Sequence, residues 1–297
     1  MDTEGERGNG ARPIVPAGRH IWLRDRGRTF VRQAAGPVGA PTVVLLHGWT
    51  ATADLNWWAS YAALAEHVNV VALDHRGHGR GLRGDTPFRL EQCADDVAAV
   101  ADALGLTRII PVGYSMGGPI AQLVWRRHRH LVAGLVLCAT SASFRGTARE
   151  RMLHAAATGS SALVGTASIG RMTNAALGKL TSWRGRRDGA WWGYDEVRGH
   201  DWPQILEAGR ATLRFDSRRW IGAVDVPTAV LVSDHDLVVP THRQEDLAGR
   251  IGHALRWKVR GGHDVCTTAP ERFVPALVDA CRAVASRAAL SPASVAA

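Results

Sequence analysis

Ser115 is the residue on which a reaction can be built. It lies in Gly113-Tyr114-Ser115-Met116-Gly117-Gly118, directly after the apolar run Ile109-Ile110-Pro111-Val112 and before a helical pattern from Pro119 to about His128. Strand, tight turn and helix around Gly-x-Ser-x-Gly put a serine hydroxyl on a strained bend at a sheet edge. Such a serine is a weak nucleophile alone. It needs a general base, an acid that orients the base, and donors for the oxyanion that its attack creates.

The chain offers candidates for each part. His263 follows Arg260-Gly261-Gly262 at the end of the last apolar strand, where a loop can turn inward and serve a general base. Asp234 and Asp236 both lie at the end of the preceding strand, Pro227 to Val232, so the acid precedes the histidine in the order Ser, Asp, His. His47-Gly48-Trp49 ends an earlier strand, and its glycine lets the next amide face the site. The backbone N–H groups of Trp49 and Met116 are the expected oxyanion donors, the latter aided by the helix N-terminus behind it. His47 reads as a hydrogen-bonded structural histidine. The loop Asp74-His75-Arg76-Gly77-His78-Gly79-Arg80-Gly81 matches no standard metal spacing, and an Asp–Arg pair holding a glycine turn explains it. No metal and no organic cofactor is expected.

The elements that must carry these residues follow a strand–helix rhythm. His20 to Arg24 and Thr29 to Arg32 read as a hairpin turning at Gly27. Largely apolar runs at 42–46, 69–73, 108–112, 132–138 and 227–232 have strand length and suit a parallel sheet buried on both faces, and 254–259 reads as the last strand. Helical patterns cover 54–67, 90–104, closed by Gly105, and 270 to about 287. The fold class is α/β: a mostly parallel central sheet with helices on both faces and a helical insertion. The expected divisions are a disordered tail at 1–12, a first core part at 13–142, a helical cap at 143–220, a second core part at 221–290 and a tail at 291–297. The cap candidate is dense in tryptophan: Trp183, Trp191, Trp192, Trp202 and Trp220. Some of these would anchor cap to core and others line an apolar pocket.

Composition narrows the function classes. The formal net charge of +9 is almost wholly arginine, since Lys179 and Lys258 are the only lysines of the 297 residues. Coding bias toward GC-rich codons explains that choice. The short clusters at 126–129, 184–187 and 218–219 share no groove and read as solvated faces, so nucleic acid is not an expected partner. Cys93, Cys138, Cys266 and Cys281 show neither paired nor zinc spacing, which suits a reducing compartment. Residues 1–12 are polar and Gly-rich, so an apolar leader is not expected, and no run is long enough to span a bilayer. The small-residue stretch 154–180, broken by Gly159, Gly165 and Gly170, reads as short cap helices without stable membrane insertion. A cytoplasmic enzyme is expected.

Taken together, His47-Gly48-Trp49, Asp74-x-Arg76-Gly77-x-Gly79, Gly113 to Gly118, Asp236-Leu237-Val238-Val239-Pro240 and Gly261-Gly262-His263 resemble the motifs of the α/β-hydrolase superfamily, over about residues 20–287. In that family the triad acid precedes a short apolar stretch closed by proline, so the resemblance selects Asp236 over Asp234. It implies a Ser115-His263-Asp236 triad, an acyl-enzyme, and a carboxylic ester of a small or medium apolar compound as substrate. Carbon–carbon, lactone or thioester hydrolysis, acyl transfer and cofactor-free haloperoxidation are alternatives on the same fold, as is a binding protein with little turnover. Serine at 115 argues against haloalkane dehalogenases and epoxide hydrolases, which are similar elsewhere but attack with aspartate.

Overall fold

A computed structural model describes residues 13–84, 86–145 and 190–290. The expected tails at 1–12 and 291–297, most of the expected cap, and Trp183 lie outside the described residues. One eight-stranded sheet organises the molecule. It comprises β1 (Gly18–Leu23), β2 (Gly27–Ala34), β3 (Thr42–Leu46), β4 (Asn69–Leu73), β5 (Ile110–Tyr114), β6 (Leu135–Cys138), β7 (Thr228–Ser233) and β8 (Leu255–Val259). The order is β1-β2-β4-β3-β5-β6-β7-β8. β1 and β2 form the antiparallel hairpin, with Leu23 opposite Gly27, and β3 to β8 run parallel.

The apolar runs lack alternation because both faces of the sheet are covered. Val44, Leu46, Leu135, Leu137, Val230 and Val232 pack into one core with α3 (Leu90–Ala103) and α4 (Gly117–Arg127). Their neighbours Val43, Leu45, Ile110, Val112, Ala229 and Leu231 enter a second core. There they meet α1 (Ala53–Trp57), α2 (Tyr61–Ala65) and the long closing helix Pro270–Leu290. The period-two geometry of strands sends successive residues to opposite helix layers. Four cysteines are buried as free thiols.

Three boundaries differ from the sequence reading. The pattern at 54–67 is two short helices, interrupted by a turn in which Ser60 N–H bonds the Trp57 carbonyl. The closing helix runs on to Leu290. A helix at Thr241–Arg250, which its mostly charged surface left unread, links β7 to β8. Between β6 and β7 the chain leaves the sheet; the described part of this excursion contains α5 (Ala190–Val197) and α6 (Trp202–Arg214). Asp201 caps α6 by accepting from Gln204 N–H. Arg80 ties α5 to the core by bridging Glu196 to Asp54 and Asp74.

β3 lies between β4 and β5, so the chain's excursions leave it in opposite directions. Open α/β sheets form their crevice at the carboxyl ends of two such strands. Those ends lead into His47-Gly48-Trp49 and into Ser115.

Candidate active site

The turn after β5 is shaped by close backbone contact. A Cβ on Gly113 would come within 2.2 Å of the Gly117 carbonyl oxygen, and one on Gly117 within 2.1 Å of the Leu46 oxygen. Only glycine lets β3, β5 and α4 approach this closely. Ser115 takes a left-handed φ of 51°, a conformation that costs a non-glycine residue energy and persists only when its surroundings impose it. They do. Ser115 N–H bonds the Cys138 carbonyl at 3.0 Å, and its own carbonyl accepts from Thr140 Oγ1 at 2.8 Å and Gly118 N–H at 2.9 Å.

The three distant sequence candidates converge here. Ser115 Oγ lies 2.9 Å from His263 Nε2, and His263 Nδ1 lies 2.7 Å from Asp236 Oδ2. A carboxylate beside Nδ1 puts the ring proton there and leaves Nε2 free to accept from the hydroxyl. Asp236 is 4% exposed and fully engaged: Oδ1 accepts from Val238 and Val239 N–H, each at 2.8 Å, and Oδ2 also accepts from Gln244 Nε2 at 3.0 Å. Asp234 is not at the site. It accepts from Gly261 N–H and faces His235.

The loop after β3 is equally determined. His47 Nε2 accepts from His75 N–H at 2.9 Å, so its proton is on Nδ1 and donates to the Gly48 carbonyl at 2.8 Å. Burial pushes this imidazole down to about 4, keeping it neutral as this pairing requires. Gly48 N–H bonds Asn56 Oδ1 at 2.8 Å. With the Gly48 carbonyl held, the opposite end of the same peptide, Trp49 N–H, has no hydrogen-bond partner among the described residues, and neither has Met116 N–H. Asp74 fixes the neighbouring loop by accepting from Ala53 N–H and from Arg80 N–H and Nε. The arginine of the expected Asp–Arg pair is thus Arg80, while Arg76 pairs with Asp96. No cluster of potential metal ligands occurs among the described residues.

Several supporting residues had escaped the sequence reading. Tyr114 Oη donates to the His263 carbonyl at 2.7 Å. Gln244 binds Asp236 and the Ser233 amide together. Asn56 joins Gly48 to Cys266 Sγ. Only Gln244 left a trace in the sequence: it is a polar residue in the first turn after Pro240, eight residues after the acid. Burial pushes the Cys266 thiol up to about 12, so this cysteine beside the serine stays protonated and inert.

A cavity of about 460 Å³ opens over Ser115 and His263, walled by Trp49, Leu55, Trp58, Tyr114 and Trp192. Two tryptophans of the expected cap have different surroundings. Trp192 faces the cavity, whereas Trp220 stacks on Trp125 and under Arg126 at the core surface. The basic clusters are partly structural: Arg127 binds Asp95, Arg129 binds Asp225 and Arg218 binds Asp216. A second hollow, of about 470 Å³, lies at the opposite ends of the strands beside Thr42, Arg108 and Arg282, away from every site residue.

A mostly parallel sheet with a serine elbow at its switch point defines the class as an α/β hydrolase. The family model for the alpha/beta hydrolase fold matches residues 41–160. The chain is 32% identical, over 219 residues, to a pimeloyl-(acyl-carrier protein) methyl ester esterase of Sodalis glossinidius, covering 68% of this chain and 78% of that one. It is 29% identical, over 252 residues, to a provisionally named carbamate hydrolase, RutD, of Caulobacter vibrioides, covering 82% and 91%. Among solved structures, a bromoperoxidase from Bacillus anthracis superposes with a TM-score of 0.74 at 18% identity, over 90% of this chain and all of that one. The chain belongs to the α/β-hydrolase family and is a hydrolase of that fold.

Proposed function

We propose that the protein is a serine hydrolase that cleaves a carboxylic ester of a small or medium apolar substrate through an acyl-enzyme. The observation that carries this reading is the unbroken chain from Ser115 Oγ to His263 and Asp236, with contacts of 2.9 and 2.7 Å. In this reading Ser115 attacks the ester carbonyl while His263 Nε2 takes its proton. Asp236 holds the tautomer and stabilises the imidazolium. The oxyanion is received by Trp49 and Met116 N–H, each donor worth about 3–4 kcal/mol in a hole of this kind. Collapse expels the alcohol, protonated by His263. A water, deprotonated by the same nitrogen, then releases the carboxylic acid. Apart from the substrate and this water, every group used in this reading belongs to the chain.

The apolar walls of the cavity favour an uncharged substrate, and Trp192 and Gly193 bring the segment read as a cap into that wall. Four unpaired cysteines support a cytoplasmic setting. Carbamate cleavage is the second reading, favoured by the relative matched over 252 residues. It uses the same acyl chemistry with a different leaving group.

The test is intact-mass analysis after incubation with a fluorophosphonate, followed by a panel of p-nitrophenyl esters and aryl carbamates. One adduct on the wild type, absent from Ser115→Ala, is expected, with short and medium acyl esters turned over fastest. Labelling that persists in Ser115→Ala rejects the nucleophile. Faster turnover of carbamates than of matched esters selects the second reading.

A further inference from the structure

Gly48-Trp49-Thr50-Ala51 closes a tight turn through Ala51 N–H to the Gly48 carbonyl, at 3.3 Å. Thr50 is its third residue and has a φ of 62°. Turns of this kind favour glycine there, and a β-branched residue resists the left-handed region. The loop carrying Trp49 N–H is therefore biased to relax unless something outside it holds Thr50. Upstream, the core holds it through His47 and Asn56. Downstream, the hold comes from the segment between α5 and α6. His200, 7% exposed, accepts from Gly79 N–H at Nδ1, at 2.9 Å, which places its proton on Nε2; Nε2 then donates to the Thr50 carbonyl at 3.1 Å. The same insertion grips the Trp49 indole: its Nε1 donates to the Ile205 carbonyl at 2.7 Å, and Gly209 leaves no room for a Cβ beside it.

We infer that His200 is a positioning residue of the reaction: by holding the Thr50 carbonyl it keeps the strained turn closed and Trp49 N–H aimed at the developing oxyanion. The inference rests on the serine-hydrolase reading of the site. It makes the oxyanion hole a joint product of the core and the inserted segment, so the cap sets catalytic geometry as well as substrate access. His200 touches no reacting atom. Its effect belongs to the transition state, where the oxyanion exists, and should appear in kcat rather than KM.

The experiment compares wild type, His200→Ala, His200→Gln and the double variant His200→Ala/Thr50→Gly. It measures kcat and KM on p-nitrophenyl butyrate and amide hydrogen exchange at Ala51. His200→Ala should lower kcat about tenfold, the scale of a small misplacement in an aligned site, with KM within about twofold, and should speed Ala51 exchange. The glutamine amide can donate to Thr50 and should restore both. Glycine at 50 removes the conformational bias and should recover kcat in the double variant even without the imidazole. Wild-type kcat and exchange in a folded His200→Ala would overturn the inference. So would a loss confined to KM, or a glutamine variant as impaired as alanine. If His200→Ala does not fold, the glutamine and double variants decide on the same criteria. If the wild type turns over neither ester nor carbamate and takes no fluorophosphonate on Ser115, the serine-hydrolase reading fails, while Ala51 exchange still decides whether His200 holds the turn.

Discussion

The two halves of the candidate site are held by different parts of the molecule. The half that would make and move charge is a product of the sheet: β6 fixes the Ser115 backbone, Tyr114 at the end of β5 fixes the His263 loop, and the helix after β7 fixes Asp236 through Gln244. The half that would receive charge depends on the insertion between β6 and β7, through His200 to Thr50 and through Ile205 and Gly209 to Trp49. Ser115, His263 and Asp236 can thus stay fixed while the insertion varies. The loop that carries Trp49 cannot be separated from the insertion in the same way.

Variants on the two sides should separate. Ser115→Ala should lower kcat by about 10⁶-fold while leaving the fold intact, the scale of removing a nucleophile that works with its base as a unit; stopped esterase assays at high enzyme concentration would measure it, and turnover within tenfold of wild type would refute the role. Asp236→Asn keeps the contact with His263 but favours the wrong tautomer, with an expected loss near 10⁴-fold. Asp234→Asn, whose carboxylate faces away, should stay within about threefold of wild type, and equal losses for the two would remove the distinction between them.

Gly209→Ala probes the other half. Alanine should gain about 1 kcal/mol of helix propensity, but its Cβ would sit 2.7 Å from Trp49 Cζ2, and forcing overlap in a packed site costs about 1–3 kcal/mol. Overpacking wins, so a lower unfolding midpoint and a severalfold lower kcat are expected. A stabilised variant with full activity would show that the indole has room to move.

The perturbation that changes no residue is pH. His47, His75 and His78 are buried together near the loop that carries Trp49, and burial pushes each below its ordinary value, His47 to about 4. The unfolded chain takes up these protons near pH 6.5 and the native state does not. Stability is therefore fully present above about 6.5 and falls as pH drops toward 4, by up to about 1.4 kcal/mol per pH unit for each histidine. Urea midpoints at pH 7.5, 6 and 5 would measure the slope; a flat profile would mean that the three rings take up protons without unfolding.

The central strands were legible because they carry largely apolar runs, and the elbow because Gly113 and Gly117 bracket a serine between a strand and a helix. The helix at 241–250 was not, because its buried face is only Gln244, Leu247 and Ala248 in a charged surface. The break between Trp57 and Tyr61 was masked by a continuous helical pattern. Asp234 and Asp236 were both possible on residue type, since they lie two positions apart just after the same strand.

The order Ser115, Asp236, His263 and the strand ends that bear them were set by local signals: glycines that permit close approach, and apolar runs of strand length. Tertiary structure alone decided which arginine closes the Asp74 loop and that His200 reaches Thr50 across 150 positions of chain. These depend on the direction in which a side chain leaves a loop and on what the fold brings opposite it. Residue type and spacing do not encode either one, because partners so far apart in the chain meet only after the sheet has assembled.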